Sequence, residues 1–191
     1  MNAFIFHGVY GHSNENWFPW LKNNLEDNSI ETTILNFPTP VDQTLNNWMR
    51  VVAPYKDKID INTIIIGHSL GTLFSAHLLS TINKKVRGLF LIAPFTGLTN
   101  DKEINKTLAS FIDTPVHWGE VCKNSSYTSI YASLDDPYIP LDSSIEFARN
   151  IGLGKLNLYL NAGHFNQKAN ILKFPDLFDE ILRIKLLSVR E

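Results

Sequence analysis

The sequence predicts an α/β fold, a doubly wound and mostly parallel sheet with helices on both faces, and two observations lead there. Short apolar runs alternate along the chain with segments of helical periodicity, the order that builds strand–helix–strand units. Two of those runs, residues 64–66 and 89–92, are apolar without a break, as strands covered on both faces are.

Taken in order, residues 3–6 read as the first strand, 17–25 as a helix and 32–35 as a second strand. Within 43–54, Leu45, Trp48, Met49 and Val52 recur at helical spacing. Residues 61–66 read as a buried strand, 70–82 as the helix that follows it, and 86–93 as the next strand. A strand over 127–132, a helix over 143–150, a strand over 156–160 and a closing helix over 174–187 complete the pattern. Ser143 with Glu146 three residues on forms a capping-box start for its helix. Lys173, Arg183, Lys185 and Arg190 read as the solvated face of the last helix. Residues 95–122 fit none of this, mixing Thr-Gly, Asn-Asp and Thr-Pro breakers with weak helical pattern. They are expected to form a short lid on a single domain spanning 1–191, since no repeat, linker or low-complexity segment interrupts the chain.

Composition excludes several classes. With 44% hydrophobic and 19% charged residues, a chain of 191 residues can bury a substantial core. A net charge of −2 with no basic run gives no footing for nucleic acid. No apolar stretch approaches the roughly 18 residues of a membrane span. The apolar start of the chain lacks a basic n-region and runs straight into His7-Gly8. A single cysteine, Cys122, excludes an intrachain disulfide. The expectation is a soluble, cytoplasmic protein with no membrane or nucleic-acid partner, and nothing in the sequence points to a protein partner. No H-E-x-x-H, Cys/His cluster, P-loop or G-x-G-x-x-G occurs, so neither a metal nor a cofactor is expected.

The chemistry centres on Gly67-His68-Ser69-Leu70-Gly71. A lone G-x-S-x-G often marks only a glycine-flanked turn. Here a β-branched run precedes it and an amphipathic segment follows, so Ser69 sits where a sharp strand-to-helix turn would present its hydroxyl above a sheet. A serine needs an adjacent base, itself oriented by an acid. His164, in the small-residue loop Asn161-Ala162-Gly163-His164 after a predicted strand, is the candidate base. His117 and His77 lie in the lid-like segment and in the helix after the turn. His68 directly precedes the serine and should point away from it, and His7 and His12 belong to an earlier loop. For the acid, Asp135 and Asp136 both follow a strand; Asp136, at the head of Asp-x-x-Ile-Pro, is favoured, with Asp135 bonding turn amides. An oxyanion would need two preorganised N–H donors. Leu70, just after the nucleophile, supplies one, and Val9 or Tyr10 in the loop after the first strand supplies the other. Trp17, Phe18 and Trp20 read as core, although one of them could instead line an acyl pocket.

Together, His7-Gly8-x-x-Gly11, Trp17-Phe18-Pro19-Trp20-Leu21, Asn36-Phe37-Pro38, the serine pentapeptide, Asp135-Asp136-Pro137 and Gly163-His164-Phe165 resemble the small α/β-hydrolases of the YdeN-like and retinoblastoma-binding-protein-like serine hydrolase group. The resemblance covers nearly the whole chain. It implies an α/β-hydrolase fold without a large cap domain, with Ser69, Asp136 and His164 as the catalytic triad, and it names no substrate. The expected function is hydrolysis of small carboxylesters or amides through an acyl-enzyme, with a small-molecule acyl substrate as the partner. A catalytically weak protein-binding module on the same fold, and an acyltransferase or non-hydrolytic lyase, are the rival readings.

Overall fold

The computed structural model describes residues 1–152 and 154–187. Six strands form one sheet: β1 (Asn2–Phe6), β2 (Glu31–Leu35), β3 (Thr63–His68), β4 (Gly88–Ile92), β5 (Thr128–Ser133) and β6 (Lys155–Tyr159). Their spatial order is β2-β1-β3-β4-β5-β6, and every neighbouring pair is parallel. The chain winds outward from β1 to β2, then returns past β1 and winds the other way, the doubly wound α/β-hydrolase arrangement with no large cap domain. Strands β3, β4 and β5 are buried along their whole length, which explains the unbroken apolar runs in β3 and β4. At the edge, β6 exposes Leu156 and Leu158.

The helices are α1 (Phe18–Asp27), α2 (Leu45–Val52), α3 (Leu70–Thr81), α4 (Lys102–Asn105), α5 (Ala109–Ile112), α6 (Trp118–Lys123), α7 (Leu141–Ile151) and α8 (Pro175–Leu187). On one face α1 packs against α8; on the other, α2, α3, α6 and α7 form a row. Every residue of α3 from Leu70 to Leu79 is buried, because it lies on the sheet with α2 and α6 packed against it. An aromatic stack fills the space between them: Phe37 lies flat on Trp48, and Phe6, Phe74 and Phe111 meet that pair edge-on.

Several boundaries differ from expectation for local reasons. The helix over 43–54 ends at Val52 and continues as a 3₁₀ turn, Ala53–Lys58, with Pro54 near its start. Strand β3 begins two residues late because Asp60 and Thr63 close a turn across 60–63. Helix α7 starts at Leu141, not at Ser143, and no capping box forms. Ser143 Oγ instead accepts the Thr96 N–H at 3.1 Å, and Glu146 accepts the Thr96 hydroxyl at 3.0 Å.

The segment 95–122 is expected as a short lid, and parts of it are anchored in the core. Phe111 and Val121 are core residues, and α6 packs between α3 and α7. Only the stretch around α4 reaches the cleft described below. The basic face expected near the C-terminus is only partly solvated. Arg183 donates to Tyr127 Oη at 2.7 Å and Lys185 donates to the Asn28 carbonyl, while Arg190 lies outside the described residues. Among the described residues, no helix is long and apolar enough to cross a membrane.

Candidate active site

Loops at the carboxyl ends of β1, β3, β4, β5 and β6 meet over one cleft of about 410 Å³, where open α/β sheets hold their ligands. Ser69 stands at the turn between β3 and α3 with φ 55° and ψ −122°. A non-glycine residue in that region is strained and persists only where its surroundings impose it. The imposition comes from close packing. A Cβ on Gly67 would lie 2.5 Å from the Gly71 carbonyl oxygen, and one on Gly71 would lie 2.3 Å from the Phe6 carbonyl oxygen. The first loop presses in as tightly, since a Cβ on Gly8 would lie 2.7 Å from Ser69 Cβ.

His164 and Asp136 come together from the ends of β6 and β5. Their Nδ1–Oδ2 distance is 2.8 Å, with the side chains 9% and 3% exposed. The other carboxylate oxygen, Asp136 Oδ1, accepts the amides of Tyr138 at 2.9 Å and Ile139 at 3.0 Å, so the acid is fixed before it meets the imidazole. Asp135 serves differently. Its Oδ1 accepts the Ser133 hydroxyl at 2.6 Å and the Gly163 amide at 2.8 Å, tying the acid loop to the base loop. Those bonds hold its carboxyl below the ordinary value. The hydroxyl of Ser133 also accepts the Ala162 amide at 2.9 Å.

The loop after β1 carries the two oxyanion-donor candidates. The Tyr10 N–H donates to Thr39 Oγ1 at 2.8 Å; Val9 lines the cleft beside it. His7, buried beneath the loop, has Nδ1 2.8 Å from the Gly8 carbonyl and accepts the Phe37 amide on Nε2 at 2.9 Å. A ring that accepts at Nε2 and faces a carbonyl at Nδ1 is the Nδ1–H tautomer.

Other candidates fall elsewhere. His117 is exposed. His77 reaches the Phe111 carbonyl at 2.8 Å inside the core. His12 lines the cleft. Trp17 and Phe18 are fully buried and Trp20 packs on Phe178, so none of the three lines the cleft and the acyl-pocket alternative for them is overturned. Trp17 has a different job that its sequence position could not reveal: its Nε1–H donates to the Phe165 carbonyl at 2.9 Å, across 148 positions. Cys122 is a half-buried free thiol. Among the described residues, no group of three metal-ligating side chains gathers.

The serine hydrolase family matches this chain over residues 3–182. YdeN of Bacillus subtilis is 26% identical over 181 residues, spanning 93% of this chain and 92% of that protein. Serine hydrolase RBBP9 of Rattus norvegicus is 25% identical over 172 residues, 88% of this chain and 83% of that protein. Among solved structures, the ydeN gene product of B. subtilis superposes with a TM-score of 0.89 at 24% identity, covering 96% of this chain and 97% of that one. Est1E of Butyrivibrio proteoclasticus, seen with ferulic acid bound, superposes with a TM-score of 0.74 at 18% identity, covering 100% of this chain and 90% of that one. These last two likenesses show a shared fold.

Two histidines at the site are held neutral by their surroundings. Burial pushes His7 down from 6.5 to about 4 and His68 down to about 3, in each case as the largest cause. The unfolded chain takes up protons at both as pH falls through 6.5, while the folded chain does not until about 4 or below. Stability is therefore lost progressively over that window and is independent of these two groups above it. At pH 5 the loss is on the order of 1–2 kcal/mol for each histidine. Urea unfolding at pH 7.5 and pH 5 should show a clearly lower midpoint at pH 5. An equal or higher midpoint there would refute neutral burial of the pair.

Proposed function

The chain belongs to the serine hydrolase family, and on that premise we propose that it cleaves small carboxylesters or amides through an acyl-enzyme formed on Ser69. The observation that carries this reading is the 2.8 Å bond from His164 Nδ1 to Asp136 in a cleft that Ser69 also lines. With Nδ1–H committed to a carboxylate, the imidazole presents an unprotonated Nε2 as the proton acceptor.

In this mechanism Ser69 Oγ attacks the acyl carbon as His164 Nε2 takes its proton. Asp136 holds the imidazole in the required tautomer and stabilises the imidazolium that results. The carbonyl oxygen becomes an oxyanion, received by two backbone donors. Leu70, first residue of α3, offers an N–H that has no partner within its helix, at the positive end of the helix dipole. Val9 offers the other, because Tyr10 is engaged with Thr39. Collapse of the adduct expels the alcohol or amine, which leaves with the proton from His164. Water then attacks the acyl-enzyme and gives its proton to the same nitrogen, which passes it to Ser69 Oγ as the acid is released.

The cleft lining favours short, polar acyl compounds over long chains. Glu15, Asp101, Glu103, Asn166, Gln167 and Lys168 place charged and amide groups around it, and burial pushes the Glu15 carboxyl up from its ordinary value.

A fluorophosphonate should label the protein at Ser69, and Ser69→Ala should remain folded while losing both labelling and ester turnover. Labelling elsewhere, or an active alanine variant, would replace the reading. Absence of any reaction would favour the binding-module alternative.

Asp136→Asn should lower kcat by about 10⁴-fold, by analogy with other triads in which the amide selects the wrong imidazole tautomer. Asp135→Asn should lower thermal stability more than kcat, because its bonds join two loops. Reversal of the two kcat effects would transfer the acid role to Asp135.

Across p-nitrophenyl esters, acetate and butyrate should be turned over with higher kcat/KM than palmitate. A steady climb of kcat/KM to sixteen carbons would exclude the short-chain assignment.

A further inference from the structure

The residue before Ser69 reaches the base from behind. His68 ends β3 with its side chain turned into the core, 4% exposed, against the rings of Trp17, Phe18 and His164 at centroid distances of 6.2, 5.8 and 4.9 Å. Its Nε2 lies 2.8 Å from the His164 carbonyl oxygen. A carbonyl can only accept, so Nε2 carries the proton and donates. Nδ1 is then an acceptor, and it is buried without a hydrogen-bond partner. Leaving a buried polar atom unpaired is costly, and an apolar residue of the same volume would avoid that cost. The bond to His164 is what the imidazole adds at this position.

We infer that His68 is a positioning residue for the proposed general base, an inference that rests on the hydrolase reading of Ser69 and His164. The geometry gives the bond a particular consequence. His68 is covalently next to the nucleophile, and its ring nitrogen holds the backbone of the base, 96 positions away. One peptide unit and one hydrogen bond thus set the spacing between the nucleophile's strand and the base's loop. Neighbouring groups of that loop are held by other means: Ala162 N–H by Ser133, Gly163 N–H by Asp135 and the Phe165 carbonyl by Trp17. His68 restrains the carbonyl of His164 itself. Because burial keeps His68 uncharged, it does not oppose the positive charge that His164 acquires 4.9 Å away when it takes the serine proton.

The test compares His68→Leu, His68→Gln and His68→Asn on p-nitrophenyl butyrate, with kcat normalised to the fraction of sites titrated by fluorophosphonate. Leucine fills the volume without a donor. Glutamine places an N–H near the position of Nε2, and asparagine carries the same amide too short to reach. A misplaced base should cost the leucine variant about 10- to 100-fold in kcat with KM within about threefold of wild type. Glutamine should recover most of that loss and asparagine should not. A merely structural role would lower the titrated fraction and the melting temperature while leaving kcat per site unchanged.

Leucine-variant kcat per site within about twofold of wild type, or glutamine no better than leucine, would overturn the inference. If the leucine variant does not fold, the glutamine–asparagine pair decides: equal kcat in those two overturns it, and glutamine faster by about tenfold or more upholds it. The outcomes separate from those of the parent reading. Wild-type turnover that Ser69→Ala abolishes but His68→Leu leaves intact removes only the role of His68. Wild-type protein without Ser69-dependent turnover removes the hydrolase reading and this inference with it.

Discussion

Backbone meets backbone at the top of β1 and β3, and the rest of the site depends on that contact. Gly71 brings the first turn of α3 against the Phe6 carbonyl, Gly67 lets the turn fold onto that helix, and Gly8 brings the following loop against Ser69. At the closest approach a methyl group would sit 2.3 Å from a carbonyl oxygen, that of Phe6 at the end of β1 in the interior of the sheet, far inside van der Waals contact. The left-handed conformation of Ser69 persists because these contacts leave the turn no other path. The same contacts set a helix N-terminus and a loop of candidate amide donors on either side of one hydroxyl.

A second layer of constraint fixes the loops that the sheet does not hold. The carboxylates of Asp135 and Asp136 are adjacent in sequence yet divide the work. One ties two loops through Ser133 and Gly163, and the other spends one oxygen on local turn amides and the second on His164. The bond between Asp136 and His164, both nearly buried, strengthens in its low-dielectric surrounding and specifies one arrangement, while the Asp135 carboxylate works at the surface. The two buried histidines extend the pattern. His7 braces the loop after β1 through Gly8 and Phe37, and His68 braces the base loop through His164. Each is neutral because burial disfavours its charged form, and each uses a ring nitrogen to bond a backbone group that no regular element would satisfy.

The segment 95–122 shows how a poor local pattern can still be integral. Its helices are four to six residues long, too short to display a periodic face. They are ordered by what they touch: Asp101 caps α4 through the amides of Glu103 and Ile104, His77 bonds the Phe111 carbonyl, and Trp118 packs edge-on against Phe147. Phe111 and Val121 anchor the segment by joining the core.

Local chemistry decided what could be read from the amino-acid sequence alone. Continuous apolar runs marked β3 and β4, because a parallel strand buries both faces. The glycine-flanked serine marked the turn, because only glycine fits where backbone approaches backbone. His164 and Asp136 were legible from the loops in which they lie. What the sequence could not show were interactions between residues far apart along it. The bond that engages the Tyr10 N–H comes from Thr39 in another loop. The reach of Trp17 to Phe165 spans 148 positions, and that of His68 to His164 spans 96. The capping box at Ser143 failed for the same reason, since Thr96 from a distant segment engages both of its side chains. Periodicity and turn chemistry act within a few residues, whereas hydrogen-bond partners are assigned by which strand ends the folded sheet brings together.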